Sequence, residues 1–178
     1  PGQVLARNPR LVYGRMTGWG QEGPLARAAG HDLNYIALCG ALHAIGRAGQ
    51  LPSPPLNLVG DYGGGSLYLA LGVVSAIWHA SRTGAGQVVD AAIIDGTASL
   101  MANIQALQSS GVPRGPRGKN LTDSGAYFYD VYECSDGQCI SVAAIEEKFL
   151  HQLARLIGLD PAQLPPRGLS ERWEEGRA

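Results

Sequence analysis

The stretch Gly30-His31-Asp32-Leu33-Asn34-Tyr35 decides the fold, together with the acid in Asn57-Leu58-Val59-Gly60-Asp61-Tyr62-Gly63-Gly64-Gly65. Apolar residues recur at helical spacing after the first stretch, so we predict a helix from about His31 to Ile45. Its first turn carries a histidine and backbone N–H groups without an intrahelical acceptor, which favour a negative oxygen nearby. We interpret the second stretch as strand-like, ending in glycines at Asp61. The pattern predicts a base with an orienting carboxylate beside an anion-binding helix start.

Composition limits the classes of protein and of partner. The 178 residues suffice for one domain or for parts of two. Charged residues make up 16% of the chain, below the roughly 25% of an average soluble chain, so we expect extensive association with other protein surface. The formal net charge is −1, and the longest apolar run, 67–78, is shorter than the about 20 residues of a membrane span. We therefore expect neither a nucleic-acid nor a membrane partner.

The three cysteines, Cys39, Cys134 and Cys139, predict reduced thiols. They form no C-x-x-C motif, and an odd number does not fit a disulfide framework. No stretch has the pattern of a signal peptide, so we expect a cytoplasmic protein. The sequence begins at Pro1 rather than at a methionine and ends among charged residues. We expect it to be an interior piece of a longer protein.

Residues 1–110 predict an α/β domain portion. Leu11–Met16 is typical of a short buried strand, and 87–94 predicts a second strand. Residues 66–80 are apolar nearly all round, which predicts a buried core helix between them. Asp95 or Thr97 is expected to cap a further helix that runs to about Ser110. We interpret this portion as an incomplete large domain.

Two further segments follow. Residues 111–125 are rich in glycine and lack an apolar period, so we predict a linker or active-site loop. It holds Arg114, Arg117 and Lys119, the only local basic cluster, which a solvated loop explains as well as a phosphate site does. Residues 126–178 predict the start of a small domain. It comprises a hairpin that turns at Asp136-Gly137 and a helix from Glu146 to Gly158.

Three titratable groups lie at the boundaries of elements: His31, Asp61 and Glu146. A histidine next to a carboxylate can both take and give a proton near neutral pH. Each of the three is, taken alone, more often structural than catalytic. A metal site built from them lacks a ligand-spaced pair, so no metal is predicted. The glycines 63–65 lack the Lys-Ser/Thr of a phosphate loop and are interpreted as positions of close backbone approach.

Several motifs in this order and spacing resemble the racemases of the class III CoA-transferase family. The motifs are Gly14-Arg15-Met16-Thr17-Gly18-Trp19-Gly20-Gln21, Ala29-Gly30-His31-Asp32-Leu33-Asn34-Tyr35, Pro55-Leu56-Asn57-Leu58-Val59-Gly60-Asp61, Gly86-Gln87-Val88-Val89-Asp90-Ala91-Ala92 and Ala144-Ile145-Glu146. The resemblance covers nearly the whole chain. It implies an α/β fold with a Rossmann-like large-domain portion and the start of a smaller α+β domain, in an interlocked homodimer.

The resemblance also implies a chemistry. The substrate is an acyl-CoA, whose CoA is part of the substrate, and no separate cofactor is expected. His31 matches the family's imidazole base, Asp61 the aspartate paired with it, and Glu146 the acid on the opposite face of the substrate. The reaction implied is 1,1-proton transfer through an enolate, with the N–H of Asp32 as a donor to the thioester oxygen. The segment implied to contact the substrate comprises Gly30, Asp32, Leu33, Asn34 and Tyr35.

Two alternatives remain open. In a CoA-transferase of the same family, the aspartate that matches Asp61 is a nucleophile that forms mixed anhydrides with the acyl group. A transferase has no use for the two-faced proton relay that His31 and Glu146 suggest. The family's first strands and CoA-gripping arginines have no counterpart in this sequence. An inactive acyl-CoA-binding fragment is therefore the second alternative.

Overall fold

The computed structural model describes residues 1–111, 115–168 and 170–177. The chain forms two compact units. The first comprises residues 1–43 and 54–112, and the second comprises residues 44–53 and 113–178. Arg114, in the predicted basic cluster, lies outside the described residues. No helix in the described ranges combines the length and apolar character that crossing a membrane requires.

A two-stranded parallel sheet organises the first unit. Strands β1 and β2 pair in the register Val12↔Gln87 to Thr17↔Ala92, which confirms both predicted strands. The expected burial of the first strand is wrong, since no residue of β1 is buried in the described chain. The elements in chain order are α1 (Gly2–Arg7), β1 (Val12–Thr17), α2 (Asp32–Leu38), α3 (Ala41–Ala44), a π-helix (Leu58–Ser66), α4 (Leu67–Thr83), β2 (Gln87–Ala92), α5 (Ile93–Leu100) and α6 (Ala102–Ser109).

Helix α4 packs closely on both strands, and glycine makes this possible. A Cβ on Gly14 of β1 would lie 3.0 Å from Val73 Cγ2, and one on Gly72 would lie 2.6 Å from Val89 Cγ1 of β2. The helix thus provides the covering layer that a parallel pair of strands needs. Across the strands, Arg15 and Asp90 are register partners and form a half-exposed ion pair of 2.6 Å.

The prediction that this helix is buried all round is wrong for the described chain. Leu67, Leu71, Val74 and Trp78 have exposed fractions of 68%, 67%, 65% and 64%. Their spacing of four, three and four residues places them on one helix face. The sequence cannot distinguish a face covered by the sheet from one that this chain leaves open, because both are apolar.

Three other expectations for the first unit are corrected. The single helix predicted over 31–45 is divided into α2 and α3, because Gly40 has φ of +84° and ends the first helix. The strand-like run ending at Asp61 is instead the π-helix, with Asn57 at its N-cap. Helix α5 follows β2 directly, with Ala92 at the N-cap, so neither Asp95 nor Thr97 caps it.

The second unit is built on an antiparallel hairpin. Strands β3 (Tyr129–Glu133) and β4 (Cys139–Ala143) pair antiparallel, and Gly137 at the turn has φ of +78°. The predicted hairpin is thereby confirmed. Helix α7 (Glu147–Leu156) and two 3₁₀ helices (Pro161–Gln163 and Ser170–Arg177) follow. The core cluster comprises Ala126, Tyr127, Phe128, Ala144, Leu150 and Trp173.

One buried acid joins three segments of the second unit. The Asp130 side chain is 1% exposed and forms ion pairs with Arg47 and Arg177. Its carboxylate also accepts a 2.8 Å hydrogen bond from the N–H of Val131. Burial by itself raises the pKa of Asp130, but the bonds from Arg177, Val131 and Arg47 outweigh it and hold this pKa below its usual value. The charges of Arg47 and Arg177 thus stabilise the buried carboxylate of Asp130.

The described part of the predicted loop, residues 115–125, is folded upon itself. Asp123 accepts hydrogen bonds from the N–H of Gly118 at 3.0 Å and from the N–H of Asn120 at 2.6 Å. Arg117 donates to the carbonyl of Gln50, and Lys119 pairs with Glu174 at 2.6 Å. Both described members of the basic cluster are therefore bound to protein groups.

Candidate active site

His31 is the N-cap of α2, one residue before the helix begins, whereas the sequence suggested a position in the first turn. Its backbone is extended (φ −133°, ψ 173°), and its N–H donates to Asn34 Oδ1 at 3.0 Å. This bond is one half of a capping box, which fixes the entry of the chain into the helix. The side chain of His31 is exposed. The imidazole is thus placed at the surface on a backbone that the cap holds in position.

The first turn of α2 has a free backbone donor. The N–H groups of Asn34 and Tyr35 both donate to the carbonyl of His31, at 2.8 and 3.3 Å. Within the described ranges the N–H of Asp32 has no hydrogen-bond acceptor, as expected for the first helical residue. A developing negative oxygen beside this turn would find a donor there.

Asp32 binds the backbone of Asp61. Its side chain is buried, with the residue 6% exposed, and Oδ2 accepts a 2.7 Å hydrogen bond from the N–H of Asp61. A Cβ on Gly60 would lie 2.5 Å from that oxygen. The approach of the two segments therefore depends on the missing side chain at position 60. Oδ1 of Asp32 is buried and has no partner among the described residues.

Asp61 lies half-buried in the first turn of the π-helix. Its carbonyl accepts a 2.9 Å hydrogen bond from Ser66 Oγ. In the described part of the chain, neither a hydrogen bond nor an ion pair joins the His31 imidazole to the Asp61 carboxylate. The structure thus connects the two predicted groups through Asp32, and not by the direct side-chain contact that the sequence suggested.

Tyr35 secures the loop in front of the helix. Its hydroxyl donates to the carbonyl of Gly30, and its ring meets Trp19 edge-on at 4.7 Å. A Cβ on Gly18 would lie 2.1 Å from the Tyr35 ring, and one on Gly30 would lie 2.8 Å from it. Burial, and after it the charge of Asp61, raises the pKa of the Tyr35 hydroxyl. Tyr35 therefore remains neutral at physiological pH.

The predicted substrate-contacting segment divides into two sets. The side chains of Asp32 and Tyr35 are buried and bind other parts of the protein, while Leu33 (41% exposed) and Asn34 face outward. Leu33 and Asn34 are therefore the side chains of this segment that are open to solvent.

Glu146 belongs to the second unit and is the N-cap of α7. The helix predicted to open at Glu146 thus begins one residue later. The carbonyl of Glu146 accepts hydrogen bonds from the N–H groups of Phe149 and Leu150, at 3.0 and 3.1 Å. The side chain is exposed and makes no capping hydrogen bond. Its carboxylate is therefore open to solvent.

The sequence reasoning missed two features of this site. The first is the hydrogen bond of the Asp32 side chain to the backbone of Asp61, since the sequence suggested Asp32 as a backbone donor and as a substrate contact. The second is Gly60, whose missing Cβ admits the Asp32 carboxylate. A glycine directly before a candidate catalytic acid was the available signal. Among the described residues, no group of three His, Cys, Asp or Glu side chains is arranged to hold a metal ion.

Comparison with known proteins defines the class. The profile described as CoA-transferase family III matches residues 1–175. A CaiB/BaiF family protein from Brucella suis has a similar structure, with a TM-score of 0.69 and 26% sequence identity, over 89% of this chain and 41% of that one. The chain belongs to CoA-transferase family III.

Two curated relatives are more specific. Alpha-methylacyl-CoA racemase from mouse is 44% identical over 175 residues, which are 98% of this chain and 46% of the mouse protein. The human protein of the same name is 44% identical over 174 residues, 97% of this chain and 46% of its own length. The chain therefore spans about half the length of these relatives.

Proposed function

We propose that this chain is part of an enzyme that racemises 2-methylacyl-CoA thioesters by 1,1-proton transfer. The observation that supports it most is the 44% identity to two alpha-methylacyl-CoA racemases over nearly the whole chain. The geometry agrees with it in one respect. The candidate base His31 and the carboxylate proposed to pair with it, Asp61, lie on segments that a 2.7 Å hydrogen bond joins.

The proposed reaction has two proton transfers. His31 removes the α-proton of the thioester from one face, and the electron pair of the broken C–H bond passes to the thioester oxygen. Glu146 then returns a proton to the α-carbon from the other face, which inverts the configuration. The second enantiomer uses the same two groups in the opposite order. Each transfer is general acid–base catalysis, typically worth about 10²–10⁴ in rate.

The remaining groups stabilise charge. The carboxylate of Asp61 favours the imidazolium that forms on His31. The free N–H of Asp32 donates to the enolate oxygen, and the loss of one such donor typically costs about 10²–10³ in rate. Leu33 and Asn34, exposed beside this donor, contact the acyl-CoA.

We further propose that the enzyme acts as a homodimer in the cytoplasm, with acyl-CoA as its substrate and no separate cofactor. The low charge content of 16% and the exposed apolar face of α4 fit a protein that buries surface against another chain.

The test uses the protein at its natural length with single enantiomers of a 2-methylacyl-CoA in D₂O. His31→Ala should lower α-deuterium incorporation by at least about 10²-fold for one enantiomer, and Glu146→Gln should do so for the other. The rate is followed by loss of the α-proton signal in NMR. Unchanged incorporation in both variants would exclude these assignments. The matched control is Glu147→Gln, one residue along and also exposed.

Transfer of CoA between acids is the second candidate, because the family that matches the chain is described by that activity. Asp61 would then attack the thioester carbonyl, form an acyl anhydride and release the CoA thiolate. Hydroxylamine would trap an acyl group on Asp61 in that case. An acyl-CoA that binds with neither trapping nor α-exchange would instead indicate a binding fragment.

A further inference from the structure

The Asp32 carboxylate is a buried acid that neither proton transfer uses. It is 6% exposed, and one of its oxygens has no partner among the described residues. Burying a carboxylate is unfavourable unless hydrogen bonds compensate for it. An acid that served only the helix dipole would lie in solvent at the surface. We therefore expect the buried side chain of Asp32 to have a specific role.

The one hydrogen bond of this carboxylate among the described residues joins the segments of His31 and Asp61. Asp32 directly follows His31, and the N–H that its Oδ2 accepts at 2.7 Å is that of Asp61 itself. This hydrogen bond thus links the backbone of Asp61 to the residue that directly follows His31. A shift of that bond moves one group relative to the other.

Gly60 makes the bond possible. A Cβ at position 60 would lie 2.5 Å from Oδ2 and 2.8 Å from Cγ of Asp32, and 2.9 Å from Cγ2 of the fully buried Ile36. Helix α2 therefore cannot move aside without loss of packing. Any side chain at position 60 must displace the carboxylate from the N–H of Asp61.

We infer that Asp32 is a positioning residue, whose side chain holds Asp61 at a fixed position relative to His31. This inference rests on the proposed function, since the placement matters for rate only if the two groups act together. It concerns the carboxylate, and is separate from the role of the Asp32 backbone N–H. A misplacement of about 1 Å in a catalytic group can cost about 10²-fold in rate.

The test compares Asp32→Asn with Asp32→Leu in the protein at its natural length. The asparagine carbonyl still accepts from the N–H of Asp61, whereas leucine has a similar volume and no acceptor. Asp32→Leu should lower kcat for α-deuterium exchange by about 10²-fold with less than a threefold change in KM. Asp32→Asn should remain within about fivefold of the unaltered protein. Equal losses in both variants would overturn the inference.

Hydrogen exchange of the Asp61 amide provides a second readout. Its protection should fall in Asp32→Leu and persist in Asp32→Asn. If Asp32→Leu does not fold, Gly60→Ala replaces it, because the alanine displaces the same carboxylate. Gly2→Ala, whose Cβ meets no atom within 4 Å, is the matched control and should leave rate and protection unchanged. Unchanged protection in the folded Leu or Gly60→Ala variant would overturn the inference.

The two readouts separate this inference from the proposed function. If the unaltered protein exchanges no α-proton, the proposed racemisation fails, and with it the effect of Asp32 on rate. Asp61 amide protection still tests the bond in that case. If the protein exchanges α-protons while Asp32→Leu retains full kcat, the racemase proposal stands and the positioning role fails.

Discussion

Glycines determine how closely the backbone segments of the first unit approach. A Cβ on Gly64 would lie 2.3 Å from Thr97 Oγ1 and 2.8 Å from the carbonyl of Ile93, and one on Gly65 would lie 2.7 Å from Met16 Sδ. The glycines of this segment thus serve close packing, as the sequence suggested. At this scale an added methyl group is already a large change, since protein interiors leave little free volume.

Gly64→Ala tests this packing. The Thr97 hydroxyl is fully buried and donates to the carbonyl of Ile93 at 2.8 Å, so neither group has room to yield. We expect a loss of about 1–3 kcal/mol in the free energy of unfolding, measured by urea denaturation. Gly2→Ala, on open surface, should cost nothing. Equal stability of the two variants would show that the contact between the π-helix and α5 is looser than described.

The helices and strands whose apolar residues recur at a clear spacing were predictable from the sequence. Those that depend on contacts with distant residues were not. Strands β1 and β2, the hairpin and α7 follow from apolar alternation or helical spacing together with turn residues. The π-helix Leu58–Ser66 was not predictable, because its four glycines have low helix propensity. It forms where Gly60 and Gly64 allow contacts with Asp32 and Thr97. Tertiary contact here outweighs local preference.

The candidate site likewise has one feature that was predictable from the sequence and one that was not. The position of His31 near the start of α2 was predictable from the helical spacing of the apolar residues that follow it. The link from Asp32 to Asp61 was not, because it joins residues distant in sequence through a glycine whose role is visible only in three dimensions. The sequence likewise gave no indication that Asp32 and Tyr35 are turned inward.

In the second unit, Asp130 connects three segments of the chain, and this predicts a pH dependence of stability. Burial raises the pKa of Asp130, but the bonds from Arg177, Val131 and Arg47 outweigh it and hold this pKa below its usual value in the folded state. A lowered folded-state pKa contributes stability above the unfolded-state pKa, which is lost as pH falls through the folded-state value. The free energy of unfolding should therefore decline below about pH 4.

Asp130→Asn should flatten this decline in urea denaturation measured from pH 7 to pH 2. At pH 7 the variant should be less stable by about 1–3 kcal/mol, because Arg47 and Arg177 lose their charged partner. Asp95→Asn, at an exposed position of α5, is the control and should retain the decline. An acid dependence in Asp130→Asn identical to that of the unaltered protein would contradict this account.

At the scale of the whole molecule, the described chain leaves apolar surface open. The face of α4 formed by Leu67, Leu71, Val74 and Trp78 is more than 60% exposed at each position, and the sheet beneath has two strands. The chain also spans about half the length of its racemase relatives. Its fold and family are those of CoA-transferase family III.

We propose that this protein exchanges the α-proton of an acyl-CoA and does not pass its CoA to another carboxylic acid. The most direct measurement places one pure enantiomer of a 2-methylacyl-CoA with the protein in D₂O. The α-proton is followed by NMR and the configuration by chiral separation. We predict incorporation of deuterium at the α-carbon together with the appearance of the other enantiomer. Retention of the α-proton and of the configuration, with CoA passed to an added carboxylic acid, would contradict the claim.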